Sequence, residues 1–293
     1  MQVFITGATG NIGSAVVAEL LAHGHGVTAL TRSERSRDAA RAAGASTVTG
    51  ALTDLDVLAG AAREADGVIH LAFANDFSSA EAVQAAVAEE AAAVKVLGEA
   101  LIGSDKPFIV TAGTPAVEGR ASTEADPLPH EGPVGGRVDT VEGVLALAGR
   151  GVRSAAVRLP RTVHQDGKGG FASILAQIAR RDSVAGYPGD GTQRWPGVHS
   201  RDAATLFRLV LEGAPAGSSW HAVADEGDPV AALVEVIGRR LGLPVNSRDA
   251  EVFGPLGPVF LQDQPASSAV TRRELGWEPS HPGQLQELEL LEP

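Results

Sequence analysis

Along the first 160 residues, short apolar runs alternate with longer stretches patterned for helices. The runs Gln2–Thr6, Val27–Thr31, Thr47–Thr49, Gly67–Leu71, Phe108–Thr111 and Ser154–Leu159 are apolar on both faces and bounded by turn residues. That pattern predicts buried parallel strands. In the first intervening stretch, Ile12, Ala15, Val16, Leu20 and Leu21 fall at helical spacing, and Gly24 is placed to end it. An alanine-rich pattern over 79–102 and another over 137–148 predict two more helices. Strand–helix alternation of this kind implies an α/β fold, a Rossmann-type doubly wound parallel sheet with right-handed crossovers.

After Pro160 the rhythm changes. Residues 161–197 are rich in glycine and carry scattered aromatics. Helical patterns return near 202–212 and 229–241, a Gly/Pro-rich loop is expected over 254–265, and SSAVTRRELGWEPS reads as a short helix with its stop. The expected organisation is a Rossmann-type domain over 1–160. A small α+β substrate cap would follow over 161–293, with some of its segments returning to the first domain.

Composition narrows the function. The net charge is −12 with both signs interspersed, which disfavours a nucleic-acid partner. There is no cysteine, so disulfides, thiolate metal sites and cysteine nucleophiles are excluded. The histidines show no metal-ligand spacing, and no metal site is expected. No apolar run reaches the ~20 residues that span a bilayer, and no signal peptide is evident. A cytoplasmic location is the expectation.

The stretch VFITGATGNIGS holds Gly7, Gly10 and Gly13 between the first strand and the first helix. Such a turn aims backbone N–H groups and the positive helix end at an anion. Gly7 suits the tight turn, Gly10 the approach of a pyrophosphate, and Gly13 the packing of helix on strand. A dinucleotide is the expected ligand. The end of the second strand reads LTRSERSR. Arg32 and Arg35, with Ser33, suit the 2′-phosphate of NADP (as NADPH), because a guanidinium makes paired bonds to phosphate oxygens. NAD is second to NADP, with Glu34 the contrary sign.

With the strand alternation, TGATGNIG resembles the extended short-chain dehydrogenase/reductase superfamily, of the NAD(P)-dependent epimerase/dehydratase-like group. GVIHLAF resembles its fourth strand, PFIVTAGT its fifth, VRLPRTVHQDG the segment that covers the nicotinamide, and GDGTQRWPGVHSRDAA its substrate-side loop. The resemblance implies cofactor contacts from Thr9, Asn11, Ile12, Leu52, Leu71, Ala72, Phe73, Thr111, Leu159 and Pro160. Phe73 is expected to reach the substrate as well. Where family members carry an adenine-contacting aspartate after the third strand, this chain has Ala51. Homodimers built on the two long helices are common in the superfamily, and a homodimer is an expectation by analogy.

The family protonates its substrate with a Tyr-x-x-x-Lys pair. This chain has one tyrosine, Tyr187, and position 191 is glycine, so no such pair exists in it. Aligning GPVGGRVDTVEG with the family helix puts Val134 at the tyrosine place and Val138 at the lysine place. Substitute catalytic groups are Thr114, beside the place of the family serine, His164 in the nicotinamide-side loop, and Asp76 after the fourth strand. Asp76 reads equally as a helix cap. Tyr187, Trp195 and His199 are expected to line a substrate pocket, with cap packing as the alternative. Glu89 and Glu90 lie mid-helix, near the place of an active-site asparagine in the family; a solvated helix face is the first reading and a reach of one of them into the site the second. The first functional reading is an NADP(H)-dependent oxidoreductase acting on a small organic carbonyl. A non-redox isomerase, dehydratase or cyclase on the same scaffold, and an NADP-sensing regulatory protein, are the alternatives.

Overall fold

The computed structural model describes residues 1–74, 79–130 and 135–293. Asp76 and Val134 lie outside the described residues. In chain order the first half holds β1 (Gln2–Thr6), α1 (Asn11–Ala22), β2 (Gly26–Thr31), α2 (Glu34–Ala42), β3 (Ser46–Thr49), α3 (Leu55–Glu64), β4 (Gly67–His70), α4 (Ala80–Leu101), β5 (Pro107–Gly113), α5 (Gly136–Ala146) and β6 (Arg153–Leu159). There follow β7 (Thr162–His164), α6 (Gly170–Asp182), β8 (Ala185–Pro188), β9 (Arg194–His199), α7 (Ser200–Gly213), β10 (Ser218–His221), β11 (Asp225–Pro229), α8 (Val230–Leu241) and β12 (Val245–Arg248). The chain closes with α9 (Gly257–Phe260), α10 (Ala269–Leu275) and α11 (Gln284–Leu288).

Two units divide the chain. The first comprises Met1–Ala112, Leu128–Arg158 and Ala204–Trp220. Its seven-stranded sheet runs β10-β6-β5-β4-β1-β2-β3, and β3, β2, β1, β4 and β5 pair in parallel. Phe4, Val68, Phe108 and Ala156 from the strands pack with Leu58 of α3, Leu97 and Leu101 of α4 and Val141 and Val144 of α5. These strands are apolar on both faces because helices cover both. The strand order reverses beside β1, between β4 and β2, which is where open α/β sheets bind their ligands.

The second unit comprises Gly113–Pro127, Leu159–Ala203 and His221–Pro293. It holds a three-stranded sheet, β11-β9-β7, and a two-stranded one, β12-β8. Its core gathers Leu175 and Ala179 of α6, Leu233 and Ile237 of α8, Trp195, Phe253 and Phe260. The stretch 254–265, expected as a loop, is irregular over 261–265 and helical before that: a 3-10 segment over Ala250–Leu256, broken at Gly254 (φ +60°), is followed by α9, with Phe253 and Phe260 as buried apolar anchors. Helix α6 also arises where the sequence suggested only glycine-rich irregularity. Leu175, Ala176 and Ala179 give it one buried face. No helix among the described residues is long and apolar enough to cross a membrane.

Candidate cofactor cradle and active site

The turn between β1 and α1 is built from its three glycines. Gly7 has φ +74°, and its amide oxygen accepts from Gly10 N–H at 3.1 Å. A Cβ on Gly7 would sit 2.8 Å from the Ala72 nitrogen, and one on Gly13 would sit 2.1 Å from the Gly7 oxygen. Both positions are closed to a side chain by the protein's own backbone. Gly10 differs. Its φ of −75° suits any residue, and a Cβ there would meet nothing nearer than the Gly7 oxygen at 3.4 Å. Gly10 is also exposed, and α1 begins after it with no side-chain cap and no acid in its first turn. The helix end is therefore presented to an anion from outside.

At the end of β2, Thr31 is buried while Arg32 and Arg35 are exposed. Glu34 leans toward Arg37 at 3.9 Å, so among the described residues it pairs with neither Arg32 nor Arg35. The Ser33 hydroxyl is engaged in capping α2, accepting from Ser36 N–H at 3.2 Å. After β3, Ala51 N–H donates to Asp54 at 2.7 Å, and Leu52 is half-buried beside it.

A buried polar chain crosses the ends of β1, β4 and β5. Thr6 Oγ1 lies 2.8 Å from His70 Nδ1 and accepts weakly from Ala72 N–H at 3.4 Å. Thr6 Oγ1 and His70 Nδ1 share a hydrogen bond whose direction depends on the imidazole tautomer, and Nε2 faces Glu90 Oε1 at 3.8 Å. Burial first, and the Arg137 charge second, lower the His70 pKa to about 3. The Glu90 carboxylate does not reverse this, because Arg137 already binds both of its oxygens, Nε to Oε2 and Nη2 to Oε1, each at 2.6 Å. The Arg137 guanidinium also lies 4.4 Å from the centre of the Phe73 ring and donates to the Thr111 carbonyl at 3.4 Å. Glu90 is thus a core residue and not part of a solvated helix face. Its partner lies 47 positions away, beyond any helical spacing. Arg137, one residue before the family's lysine place, is the charged group that sequence reasoning passed over.

His70 carries a pH dependence. The unfolded imidazole binds a proton near pH 6.5 and the folded one only near pH 3. Unfolding therefore takes up a proton between those values, and stability falls as the pH drops below 6.5. Between pH 7 and pH 5 the loss from this residue is about 2 kcal/mol. Urea melts at the two pH values check this, since His70→Asn should shrink the difference by that amount.

In the second unit Thr114 is buried. Its N–H donates to the Leu159 carbonyl at 3.0 Å, and its Oγ1 has no hydrogen-bond partner among the described residues. Pro160 is buried and Leu159 half-buried. His164 is buried, and among the described residues neither ring nitrogen has a hydrogen-bond partner. Its Nε2 lies 3.8 Å from Asp225, and its ring meets His199 edge-on at 5.7 Å. His199 stacks on His281 at 4.6 Å and accepts at Nδ1 from Arg201 N–H. Its pKa is lowered, chiefly by burial. His281 Nδ1 in turn lies 2.8 Å from Asp202. No hydrogen bond joins Thr114 to His164 among the described residues. Trp195 does not line a pocket: it is 0% exposed, packed among Phe171 and Phe260. Tyr187 is half-buried and packs at the margin of the same core. Their aromatic surface serves unit packing, the alternative that the glycine-rich context could not exclude. Exposed His130 faces Asp139 at 3.3 Å through Nδ1 and Glu142 at 3.7 Å through Nε2. One ligand atom from each of the three lies within 4.8 Å of the others, all on exposed side chains.

Residues 3–137, which contain this cradle, match the family model described as the NAD dependent epimerase/dehydratase family. An uncharacterized protein of Schizosaccharomyces pombe is 41% identical over 96% of each chain, and an uncharacterized protein of Saccharomyces cerevisiae is 41% identical over 98% of each. The chain belongs to the NAD dependent epimerase/dehydratase family. Solved structures with this fold include UDP-glucose 4-epimerase of Thermotoga maritima with UDP-glucose. It has a TM-score of 0.81 and 20% identity, covering 99% of this chain and 97% of that one. The dTDP-glucose 4,6-dehydratase DesIV of Streptomyces venezuelae with NAD bound gives 0.80 at 18% identity, covering 99% and 96%. The Rossmann-like fold of this chain, with its seven-stranded sheet, matches that of these neighbours.

Proposed function

We propose that this family member is an NADP(H)-dependent oxidoreductase acting on a small organic carbonyl, and that it works without a tyrosine–lysine pair. The observation that carries the reading is Gly10. Among the described residues nothing requires glycine there, whereas a ligand that must approach the backbone closely would. A pyrophosphate at the uncapped end of α1 meets that demand. The DesIV neighbour holds NAD. The preference for NADP rests on Arg32 and Arg35, exposed at the end of β2 with no carboxylate between them and solvent.

When bound, the nicotinamide would supply a hydride to the carbonyl carbon. The chain's own residues hold and orient. Gly10 and the α1 amides would take the pyrophosphate, and Arg32 and Arg35 the 2′-phosphate. Arg137, fixed by Glu90, holds Phe73 at the end of β4. Protonation of the substrate oxygen falls to His164 or to water, with Thr114 orienting the carbonyl. A non-redox isomerase, dehydratase or cyclase is the second reading, favoured by the single tyrosine of the chain. Loss of nicotinamide absorbance on a panel of aldehydes, ketones and activated alkenes distinguishes the two. Arg32→Ala should weaken NADPH by roughly 10- to 100-fold while leaving NADH nearly unchanged, as removal of one charge-assisted phosphate contact implies. Equal weakening of both cofactors in fluorescence titrations would sink the 2′-phosphate assignment.

A further inference from the structure

Arg161 follows Pro160 directly, in the link between β6 and β7, and all its partners belong to the second unit. Its Nε donates to Gln264 Oε1, Nη1 to the Val259 carbonyl at 3.0 Å, and Nη2 to Gln262 Oε1 at 2.5 Å. The guanidinium carbon lies 5.3 Å from the Phe171 ring centre and 5.9 Å from that of Trp195. These partners are all neutral, and among the described residues no carboxylate comes within 4.0 Å. Asp263, the acid between the two glutamines, is committed to Arg194 at 2.8 Å. By contrast, the partly buried Arg137 and Arg208 each have a glutamate at 2.6 and 2.8 Å. Burial lowers the Arg161 pKa to about 10, the mark of a cation without compensation.

A guanidinium carries five N–H donors. Among the described residues three of those on Arg161 are used, and two on the Nη atoms are not. Gln264 is held in the orientation that serves Arg161, because its Nε2 donates to the Thr114 carbonyl. Arg161 is therefore tied to Thr114, whose buried hydroxyl has no partner of its own among the described residues. Loss of hydration without a counter-charge is costly for a structural arginine. It is the arrangement expected where an anion arrives from outside and completes the pair.

We infer that Arg161 is an anion-binding residue, which receives a carboxylate or phosphate group carried by the substrate. The word substrate rests on the oxidoreductase reading. The anion site itself does not, and its test needs no cofactor.

The full chain is titrated with inorganic phosphate and, separately, with acetate at constant ionic strength. Tryptophan fluorescence is followed, since Trp195 adjoins the guanidinium. The wild type should give a saturable change with one of the two anions. Phosphate alone would assign a phosphorylated substrate, acetate alone a carboxylic acid. Arg161→Gln should weaken that response by roughly tenfold or more, as the loss of a charge-assisted fork implies. Should Arg161→Gln not fold, Gln262→Glu serves. The exposed Gln262 can take the change, and the new carboxylate would occupy the free donors and lower anion affinity by a similar factor with the thermal midpoint kept or raised. Titration curves in folded Arg161→Gln or Gln262→Glu that match the wild type overturn the inference, as does a wild type that gives no saturable change with either anion. Failure of NADPH binding would overturn the cofactor reading and leave this result standing.

Discussion

Arg137→Met is expected to lower the thermal midpoint by roughly 6–12 °C. Glu90 is 4% exposed, and both its oxygens are bonded to Arg137. Removing one partner of a buried pair strands the other charge, at a cost of about 3–5 kcal/mol. The Arg137 side chain is 20% exposed, so the lower end of that range applies. For a chain of this size each kcal/mol moves the midpoint by about 2–4 °C. The double variant Glu90→Leu with Arg137→Met removes both charges and should recover most of the loss. A residual deficit of about 0.5–1 kcal/mol is expected from the lost stack on Phe73. Circular dichroism melts of the two singles and the double decide this. A double variant as unstable as Arg137→Met would show that the stranded carboxylate is not the cause.

The second expectation contrasts two glycines three residues apart. Gly10→Ala should leave the thermal midpoint within about 2 °C of the wild type, because the backbone there is ordinary and the new methyl meets nothing closer than 3.4 Å. It should nonetheless weaken NADPH by roughly 100-fold, since the methyl stands where the phosphate must approach. Gly13→Ala should fail in both respects. Its methyl would fall 2.1 Å from the Gly7 oxygen and 2.8 Å from Ala8 Cα, so the turn must open before the helix can pack. A Gly10→Ala protein that binds NADPH normally would remove the ground for placing the pyrophosphate at this turn.

These two sites also mark how far the sequence could be read. The cradle was legible because its constraint is local: the strand, the three glycines and the start of the helix fall within residues 2–14. The parallel strands were legible because burial on both faces leaves continuous apolar runs. The Glu90–Arg137 pair was not, because alanines around Glu90 give no sign of which face is buried, and the partner comes from another helix. Trp195 was misread for a related reason. An aromatic among glycines is equally a pocket wall and a core anchor, and only the facing Phe171 and Phe260 decide. Arg161 had one visible signal, an arginine directly after Pro160. Its neutral surroundings are supplied by residues about a hundred positions later.

The path of the chain between the two units bears on how the protein is made. The first unit is not complete at residue 160: Ala204–Trp220 returns to it, bringing most of α7 and the strand that stands next to β6. Until residue 221 has left the ribosome, β6 is an open edge with unpaired amides, and β7, α6, β8 and β9 must be emitted meanwhile. Pairing across that interval is a late, long-range closure, slow by its topology. The nascent chain therefore carries an open sheet edge from residue 159 until residue 221 has emerged, about a fifth of its length, and over that interval the edge is open to pairing with another chain.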